Sequence, residues 1–459
     1  MAHHCRDFSR TERLRAAVAG AGLPAVEAGT PAPAGTGLSR RAFLLRSAGL
    51  ALSVYGAGKL SGAAVEEAVA AQAAGPGAPV IVQVFLAGGV DSISFLAPTE
   101  DDAYRRLRPR LALPPGSGTP FTEDPRLRWH PSAAAIADLH GEGKVSVLPA
   151  VGYAQPDQSH FVSRHYYEVG GLEAKLSTGW LGRYLDRVGT PENPLQGLAL
   201  DNSLAPALAS ARVPVAAVAS PAEYDFWARD VWGDVEALML ETSARIGGGH
   251  ARSDRALRQA GRAALQAGRL RTQLAPFRPA DDAPAFSSPV AYPTSEEYGE
   301  FPQRLAALAA MLSAGLPLRC VTITAPGDYD THANQQEVLA GPLKLTCDAL
   351  AAFQRDLEAR GLADRVLLHV WSEFGRRAEE NSEGTDHGAA GLGLVIGARA
   401  AGAMVGEFPG LAQLDADGNL RATSDFRGVY ASLLEQWLGT AADGIIPDAG
   451  RLARPRLVR

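Results

Sequence analysis

The stretch Val80-Ile81-Val82-Gln83-Val84-Phe85-Leu86, with the turn Ala87-Gly88-Gly89-Val90-Asp91-Ser92 that follows it, decides the fold of this sequence. The first part is a continuous apolar and β-branched run, which predicts a strand buried on both faces rather than a half-exposed one. The second part is a glycine turn that delivers a carboxylate. Because loops at the carboxyl ends of strands converge on the functional site of α/β proteins, this stretch predicts such a sheet with Asp91 at its functional edge.

The same kind of apolar run recurs along the chain, with helical segments in between. Further predicted strands are Lys144–Val151, Leu198–Asp201, Val213–Ala219, Arg319–Thr324, Arg365–Trp371 and Gly391–Gly397. The predicted helices are Ser243–Leu274, Glu300–Gly315 and Gly341–Arg360. Since helices alternate with buried strands, the sequence predicts the α/β class with a mostly parallel central sheet.

The composition is typical of a folded, loop-rich protein. Of the 459 residues, 46% are hydrophobic and 20% charged, so burial of apolar surface outweighs chain entropy and excludes intrinsic disorder. The formal net charge of −6 argues against a general nucleic-acid-binding surface, and we expect no nucleic-acid partner. Three cysteines cannot form a disulfide framework, and we expect Cys320 and Cys347 to be buried thiols.

The amino-terminal segment has the features of an export signal. Ser39–Leu44 matches the twin-arginine pattern, and a mildly apolar run, Leu44–Leu60, follows it. That run has fewer than the roughly 20 apolar residues that a membrane span needs, and the small-residue stretch Ala68–Ala74 offers a cleavage site. The alternative is an arginine pair before an ordinary amphipathic helix. We expect residues 1–73 to be a removable leader read by the twin-arginine translocase, and the mature protein to be periplasmic or secreted without a transmembrane span.

What distinguishes the sequence is where its acids and histidines lie, because they sit beside five strand ends. The candidate site residues are Asp91, Ser159, His160, Asp328, Asp330, His332, Glu373, Asp386 and His387. Residues that follow parallel strands converge on one sheet edge. The Asp386-His387 pair joins them if its strand runs antiparallel or its loop folds back. Carboxylates with imidazoles suit Zn, Mn or a similar divalent metal, and one or two ions could share the cluster.

Such a cluster suits phosphoryl or sulfuryl transfer, because a metal ion lowers the pKa of a bound hydroxyl and stabilises a leaving oxygen. Ser159 is the candidate nucleophile, and His160 could protonate the leaving group. Phosphate-binding loops of the P-loop kind and the G-x-S-x-G elbow of ordinary α/β hydrolases are absent from the sequence.

Each candidate also has a structural interpretation. Asp91 and Ser159 could cap helices, and Asp328–His332 could be a hydrogen-bonded turn. Glu373 could pair with one of the adjacent arginines, Arg376 and Arg377. The individual signals are weak, and the prediction of a site depends on their shared placement.

Several motifs together resemble the twin-arginine-exported bacterial proteins grouped as domain of unknown function 1501. The motifs are Phe85–Ser92, Gln158–Phe161, Thr178–Tyr184, Gly327–Gln335, Ser372–Arg377 and Gly384–Gly388. The resemblance covers roughly residues 40–440. That family is grouped with the alkaline phosphatase and sulfatase superfamily, so the resemblance implies an alkaline-phosphatase-like mixed sheet with helices on both faces and metals at one edge.

Carried over residue by residue, the resemblance implies roles for residues already singled out. It implies metal ligands at Asp91, Asp328, His332, Glu373 and His387, and the nucleophile at Ser159. The departure is Phe374, which replaces a metal-binding histidine of the superfamily. The protein would then hold one ion, recruit His160 or Asp386 instead, or have lost catalysis. The segment Ser159–Ser163 also lacks the C/S-x-P-x-R sequence of formylglycine sulfatases.

The sequence therefore leaves two functions open. One is an exported, metal-dependent hydrolase of phosphate or sulfate esters with a serine nucleophile, acting on a small-molecule or polymer ester. The other is a non-catalytic envelope protein that keeps the fold for binding or assembly around a degenerate metal site. We expect residues 74–459 to form a single domain with an insertion at about residues 220–300.

Overall fold

The computed structural model describes residues 54–55, 77–221, 224, 234–249, 255–277 and 286–459. The predicted twin-arginine motif at Ser39–Leu44 lies outside the described residues, as do the small-residue stretch Ala68–Ala74 and nearly all of the leader. The predicted insertion at about residues 220–300 is described only in part.

A nine-stranded mixed sheet forms the centre of the molecule. From residue 80 onward its strands are β1 (Val80–Phe85), β2 (Val145–Gly152), β3 (Gly197–Ala199), β4 (Val215–Ala217), β5 (Cys320–Thr324), β6 (Val366–Trp371), β7 (Gly391–Ile396) and β8 (Ser424–Asp425). They are arranged in the order β4-β3-β5-β1-β6-β7-β2-β8, and Val54–Tyr55 pairs antiparallel with β4. Among β1–β8, β7 is antiparallel to both neighbours and every other pair is parallel, which confirms the mostly parallel sheet.

Helices cover both faces of this sheet. They are α1 (Ser92–Phe95), α2 (Asp102–Leu107), α3 (Ala134–Gly141), α4 (His160–Val169), α5 (Trp180–Val188), α6 (Asp234–Gly249), α7 (Arg255–Leu274), α8 (Phe301–Ser313), α9 (Gln335–Ala359) and α10 (Phe426–Ser432). Along β1, Val82 and Val84 join one hydrophobic cluster with side chains of α3, α7, α8 and α9. Ile81 and Phe85 join the other cluster with α4, α5 and α10. Because successive side chains of β1 point to opposite faces of the sheet, the strand contributes to a hydrophobic core on each side.

The shorter elements complete the chain. Three two-residue strands, Leu96–Ala97, Thr119–Pro120 and Arg128–Trp129, form a small antiparallel sheet. Arg376–Glu380 and Thr385–His387 form a two-stranded antiparallel ribbon between β6 and β7, called the ribbon below. Single turns of 3₁₀ helix are Pro131–Ala133, Pro194–Gln196, Pro206–Leu208, Ala275–Phe277 and Ala449–Arg451, and a π-helical turn is Leu433–Trp437.

The prediction of one long helix over Ser243–Leu274 is wrong, because two helices, α6 and α7, pack against each other there. The sequence of α6 ends in three glycines, which disfavour a longer helix. Helix α7 also packs against the rest of the molecule. Gln266 and Arg269 donate to backbone carbonyls just before the 3₁₀ turn Pro194–Gln196, and Leu270 belongs to one of the two main hydrophobic clusters.

Candidate metal site

The direction of β7 brings the candidate residues to one edge of the sheet. Parallel strands β1, β2, β5 and β6 end at that edge, and the loops after them carry most of the predicted site residues. Since β7 runs antiparallel to β6 and β2, it begins at the same edge. The ribbon strand Thr385–His387 lies just before β7, so Asp386 and His387 meet the condition that the sequence set for them.

Three imidazole rings and one carboxylate converge at this edge, and we call them the histidine–aspartate cluster: His160, His332, His387 and Asp330. His387 Nε2 lies 3.0 Å from Nε2 of His160 and 3.0 Å from Nε2 of His332. Oδ1 of Asp330 lies 3.5, 3.1 and 3.3 Å from Nε2 of His160, His332 and His387, respectively. His160 and Asp330 are buried, whereas His332 and His387 expose about a fifth of their side chains, so the cluster can be reached from solvent.

The other ring nitrogen of each histidine is held by an oxygen acceptor. The pairs are His160 Nδ1 with Glu373 Oε1 at 2.8 Å, His387 Nδ1 with the Gln158 carbonyl at 2.8 Å, and His332 Nδ1 with Asp386 Oδ1 at 3.2 Å. A carbonyl or carboxylate oxygen only accepts, so the proton of each neutral ring is assigned to Nδ1 and Nε2 carries a lone pair. Burial lowers the pKa of His387, which favours its neutral form. Three lone pairs and a carboxylate oxygen therefore face one another, an arrangement that a bound cation would stabilise.

Asp330 is the acid of the cluster, although the superfamily resemblance implied Asp328. Oδ1 of Asp328 instead accepts a hydrogen bond from the backbone N–H of Asp330 at 3.0 Å, within the turn after β5. Burial opposes a charge on Asp330, but the three facing imidazoles and the charge of Arg376 hold the pKa of its carboxyl well below the usual range. Its Oδ2 is buried and has no hydrogen-bond partner.

Arg376 fixes the carboxylate of Asp330 in place. Its guanidinium is fully buried and forms an ion pair with Oδ1 of Asp330. The remaining N–H groups donate to the backbone carbonyls of Gly88, Gly89, Tyr329 and Thr385. Arg376 thereby connects the turns after β1 and β5 with the ribbon. The arginine partner proposed for Glu373 is thus used by Asp330 instead.

Glu373 orients His160 and does not enter the cluster as a further donor. Its fully buried carboxylate accepts hydrogen bonds from the backbone N–H groups of Gly88 and Gly89 at 3.0–3.2 Å and from Ser372 Oγ at 3.0 Å. Burial raises the pKa of Glu373, but the hydrogen bond from His160 brings it below its ordinary value. Glu373, which was predicted to be a metal ligand, therefore holds the ring of His160 in position.

The glycine turn after β1 is built to carry these N–H groups. Gly88 and Gly89 have φ values of +115° and +73°, a region that favours glycine. A Cβ on Gly89 would lie 2.3 Å from the ring of Phe374. That buried ring packs against His160 and His387, with centroid distances of 4.7 and 5.0 Å. Phe374 therefore forms an apolar wall where the superfamily resemblance implied a ligand.

Asp91 lies in an ion pair away from the imidazoles, which corrects the ligand role predicted for it. Both of its oxygens accept from the guanidinium of Arg108, and both side chains are fully buried. Ser94 Oγ and Gln335 Nε2 donate to the same carboxylate. Burial raises the pKa of Asp91, but the charge of Arg108 lowers it below the ordinary value. Its side chain makes no capping hydrogen bond to α1 either.

Ser159 and Asp386 flank the cluster. Ser159 occupies the N-cap position of α4, is half-buried and makes no side-chain capping bond. Asp386 is half exposed and supports His332. Burial raises the pKa of Asp386, but hydrogen bonds from Asn381 and His332 lower it below the ordinary value.

The donor set fits one divalent metal ion. Ligand atoms around a four-coordinate ion with bonds of about 2.0–2.1 Å lie roughly 3.3 Å apart, and the donor pairs other than His160–His332 are separated by 3.0–3.5 Å. Imidazole nitrogens with one carboxylate favour zinc, and an oxygen acceptor on the far ring nitrogen is typical of metal-binding histidines. Ligand atoms of His160, Asp330 and His387 all lie within 4.8 Å of one another, a spacing that could hold a metal ion.

The fold and the site thus define an α/β protein with a candidate metal site at the carboxyl edge of its sheet. The family described as a protein of unknown function (DUF1501) matches residues 150–427, which is more than half of the chain. The protein therefore belongs to this family, and the resemblance drawn from its motifs is confirmed. All four cluster residues fall within the matched region. No curated protein matches the sequence.

Solved structures with similar folds include a lipoteichoic acid synthase and a sulfatase, but the similarity is weak. The lipoteichoic acid synthase LtaP from Listeria monocytogenes is 7% identical, with 80% of this chain and 73% of that chain covered and a TM-score of 0.31. The PsFucS1 sulfatase from Pseudoalteromonas sp. is 12% identical, with 80% and 68% covered and a TM-score of 0.33. Similarity at this level does not assign an activity. Among the described helices, none is both long and apolar enough to cross a membrane.

Proposed function

We propose that this protein is an exported, metal-dependent hydrolase of phosphate or sulfate esters whose metal ion binds in the histidine–aspartate cluster. The observation that carries the proposal is the convergence of three imidazole Nε2 atoms on Oδ1 of Asp330 while each Nδ1 is held by an oxygen. Zinc suits these donors best, and manganese or a similar ion is the alternative. The resemblance to the alkaline phosphatase and sulfatase superfamily supports an ester as the substrate.

The residues in and around the cluster have different roles in the proposed reaction. A bound ion supplies stabilisation of developing negative charge and lowers the pKa of a nearby hydroxyl. Ser159 stands at the amino terminus of α4, where the helix dipole favours negative charge on its oxygen. The half-buried hydroxyl makes no capping bond and can turn toward a substrate as the nucleophile. His160, which the sequence suggested as a proton donor, has Nδ1 hydrogen-bonded to Glu373 and Nε2 inside the cluster, so we assign it to metal binding.

The Ser159→Ala variant tests the nucleophile. We expect a loss of about 10³-fold or more in ester hydrolysis, because an alanine leaves no oxygen to form the covalent intermediate. The assay compares 4-nitrophenyl phosphate and 4-nitrophenyl sulfate, and elemental analysis checks that the metal content is unchanged. Ser203→Ala, at an exposed serine, is the matched control. Full activity of Ser159→Ala would remove Ser159 from the mechanism, and a metal-loaded protein inert on both esters would favour the binding or assembly function.

Export through the twin-arginine translocase is part of the proposal and is supported by the motif at Ser39–Leu44. A reporter fused after residue 74 should reach the periplasm. Replacement of Arg40 and Arg41 by lysine should retain it in the cytoplasm, and export of that double variant would contradict the proposal.

A further inference from the structure

We infer that Gln335 is a positioning residue of the candidate site: its buried side chain holds the loop after β5 against the ribbon, so that His332 and His387 face each other. Its hydrogen bonds go to the segments that carry these histidines and not to the rings themselves. The inference rests on the metal dependence in the proposed function, but it does not depend on which ester, if any, is hydrolysed.

The side-chain oxygen of Gln335 joins two segments of the site. Gln335 is the first residue of α9 and is 1% exposed. Its Oε1 accepts hydrogen bonds from Thr331 Oγ1 at 2.9 Å and from Thr385 Oγ1 at 2.7 Å. Thr331 directly precedes His332 in the loop after β5, and Thr385 lies two residues before His387 in the ribbon. One buried acceptor therefore fixes the distance between the two segments that carry these histidines.

Backbone hydrogen bonds hold the same two segments together. The N–H of Gln335 donates to the Glu383 carbonyl at 2.9 Å, and the N–H of Thr385 donates to the Thr331 carbonyl at 3.0 Å. The approach is close, because a Cβ on Gly384 would lie 2.3 Å from the Thr331 carbonyl oxygen. The contact between loop and ribbon is thus formed at the residue whose side chain also bonds to both.

The side-chain nitrogen of Gln335 fixes the orientation of its amide. Nε2 donates to the Asp91 carboxylate and, at 3.3 Å, to Ser94 Oγ. A carboxylate only accepts hydrogen bonds, so the NH₂ group is assigned to the Asp91 side and the oxygen to the side of the two threonines. A glutamine in this place therefore has both the donor and the acceptor that its surroundings require.

The ion pair next to Gln335 is also bonded to the ribbon. Arg108 donates from Nε to the Ala378 carbonyl at 2.9 Å and from Nη2 to the Arg377 carbonyl at 2.8 Å. Arg108 and Asp91 are both fully buried, so neither can move without breaking these contacts. Asp91 therefore supports the site from outside the cluster, as a fixed acceptor for Gln335.

The experiment compares Gln335→Leu with Gln336→Leu in the full-length mature protein. The two glutamines are adjacent, but Gln336 is exposed and its Nε2 donates to the Arg110 carbonyl. Each protein is stripped of metal and titrated with Zn²⁺ against a chromophoric chelator, and the visible absorption of the Co²⁺ form reports ligand geometry. We expect Gln335→Leu to lose affinity by about 10-fold or more and to change the Co²⁺ spectrum, and Gln336→Leu to match the wild type.

A double-mutant cycle separates positioning from a general loss of stability. Thr385→Val removes one donor to Oε1 and leaves the Asp91–Arg108 pair in place, so it gives the same test if Gln335→Leu does not fold. We expect Thr385→Val to weaken Zn²⁺ binding and alter the Co²⁺ spectrum in the wild-type background. In the Gln335→Leu background it should add little, because both substitutions break the same hydrogen bond. Circular dichroism in the presence of chelator checks the fold of each variant.

Unchanged Zn²⁺ affinity and an unchanged Co²⁺ spectrum in folded Gln335→Leu or in Thr385→Val would overturn the inference. An equal loss in Gln336→Leu, fully additive effects in the cycle, or a wild-type protein that binds no metal would do the same. Metal binding that depends on Gln335, without hydrolysis of any ester, would contradict the proposed function and leave the inference standing. Ester hydrolysis by a metal-loaded protein whose metal site is indifferent to Gln335→Leu would do the reverse.

Discussion

Single residues that do not face the centre of the cluster determine how its rings are oriented. Glu373, the Gln158 carbonyl and Asp386 each hold the Nδ1 side of one histidine. Such outer partners fix the tautomer of a metal-binding histidine and raise the basicity of the nitrogen that binds the metal. Glu373 is more deeply buried than Asp386 and also accepts hydrogen bonds from backbone amides. Its replacement should therefore weaken metal binding more than replacement of Asp386.

We expect Glu373→Gln to weaken metal binding by about 10- to 100-fold. The glutamine has one acceptor oxygen where the glutamate has two, so it cannot serve both His160 Nδ1–H and the N–H groups of Gly88 and Gly89. A competition titration against a chromophoric chelator measures the affinity. Glu379→Gln, at an exposed position in the ribbon, is the control. Equal affinities in the two variants would show that the carboxylate does not support the metal site.

At this scale the sequence located the site but did not assign every role within it. His332 and His387 are in the cluster as predicted, but Asp91 is not, because Arg108 lies 17 positions away in a loop whose packing no local pattern reveals. Asp328 and Asp330 occupy equivalent positions in the sequence on either side of Tyr329. Their roles are separated by the turn that the Asp328 side chain closes and by the ion pair of Asp330 with Arg376.

At the scale of elements, the turn after β1 and the strand β7 place the site. The turn was predicted from its glycines, and the structure adds that its amides bind Glu373. The direction of β7 could not be predicted, because its apolar run has the same pattern in either direction. The ribbon between β6 and β7 returns the chain to the sheet edge without a crossover helix, which makes β7 antiparallel.

A comparison of Gly89→Ala with Gly116→Ala separates the two reasons for a glycine in that turn. Both positions have positive φ, +73° and +77°, but a Cβ on Gly116 meets nothing within 4 Å, whereas one on Gly89 meets the Phe374 ring. We expect Gly116→Ala to lower the free energy of unfolding by about 1 kcal/mol and Gly89→Ala by a further 1–3 kcal/mol or so. Urea denaturation measures both. Equal losses would mean that Phe374 moves aside freely.

The central sheet of the molecule is covered by helices on both faces. The side chains buried between sheet and helices include polar ones. Gln83 on β1 and His369 on β6 are direct cross-strand neighbours, and their side chains are hydrogen-bonded through Gln83 Nε2 and His369 Nδ1 at 3.2 Å. Burial lowers the pKa of His369 to about 3. The histidine is therefore neutral in the folded protein throughout the range where a free histidine becomes charged.

This burial makes stability depend on pH. Below about pH 6.5 the unfolded chain binds a proton at His369 that the folded chain does not, so stability is highest above that pH and falls by about 1.4 kcal/mol per unit as the pH drops toward the folded-state value. The His369→Gln variant keeps an acceptor for Gln83 and removes the group that takes up this proton in the unfolded chain. The difference in unfolding free energy between wild type and variant should shift by about 2 kcal/mol in the variant's favour from pH 6.5 to pH 4.5. Parallel pH curves for the two proteins would contradict the assignment.

The position of β7 late in the chain also determines when the candidate site can form during synthesis of the protein. His160 and His387 are 227 positions apart, and the strand behind His387 pairs with both β2 and β6. A ribosome must therefore have released almost the entire polypeptide before the three rings can meet. Any premature stop upstream of the ribbon would yield a chain that retains most of its apolar segments but lacks His387 and the strand that positions it.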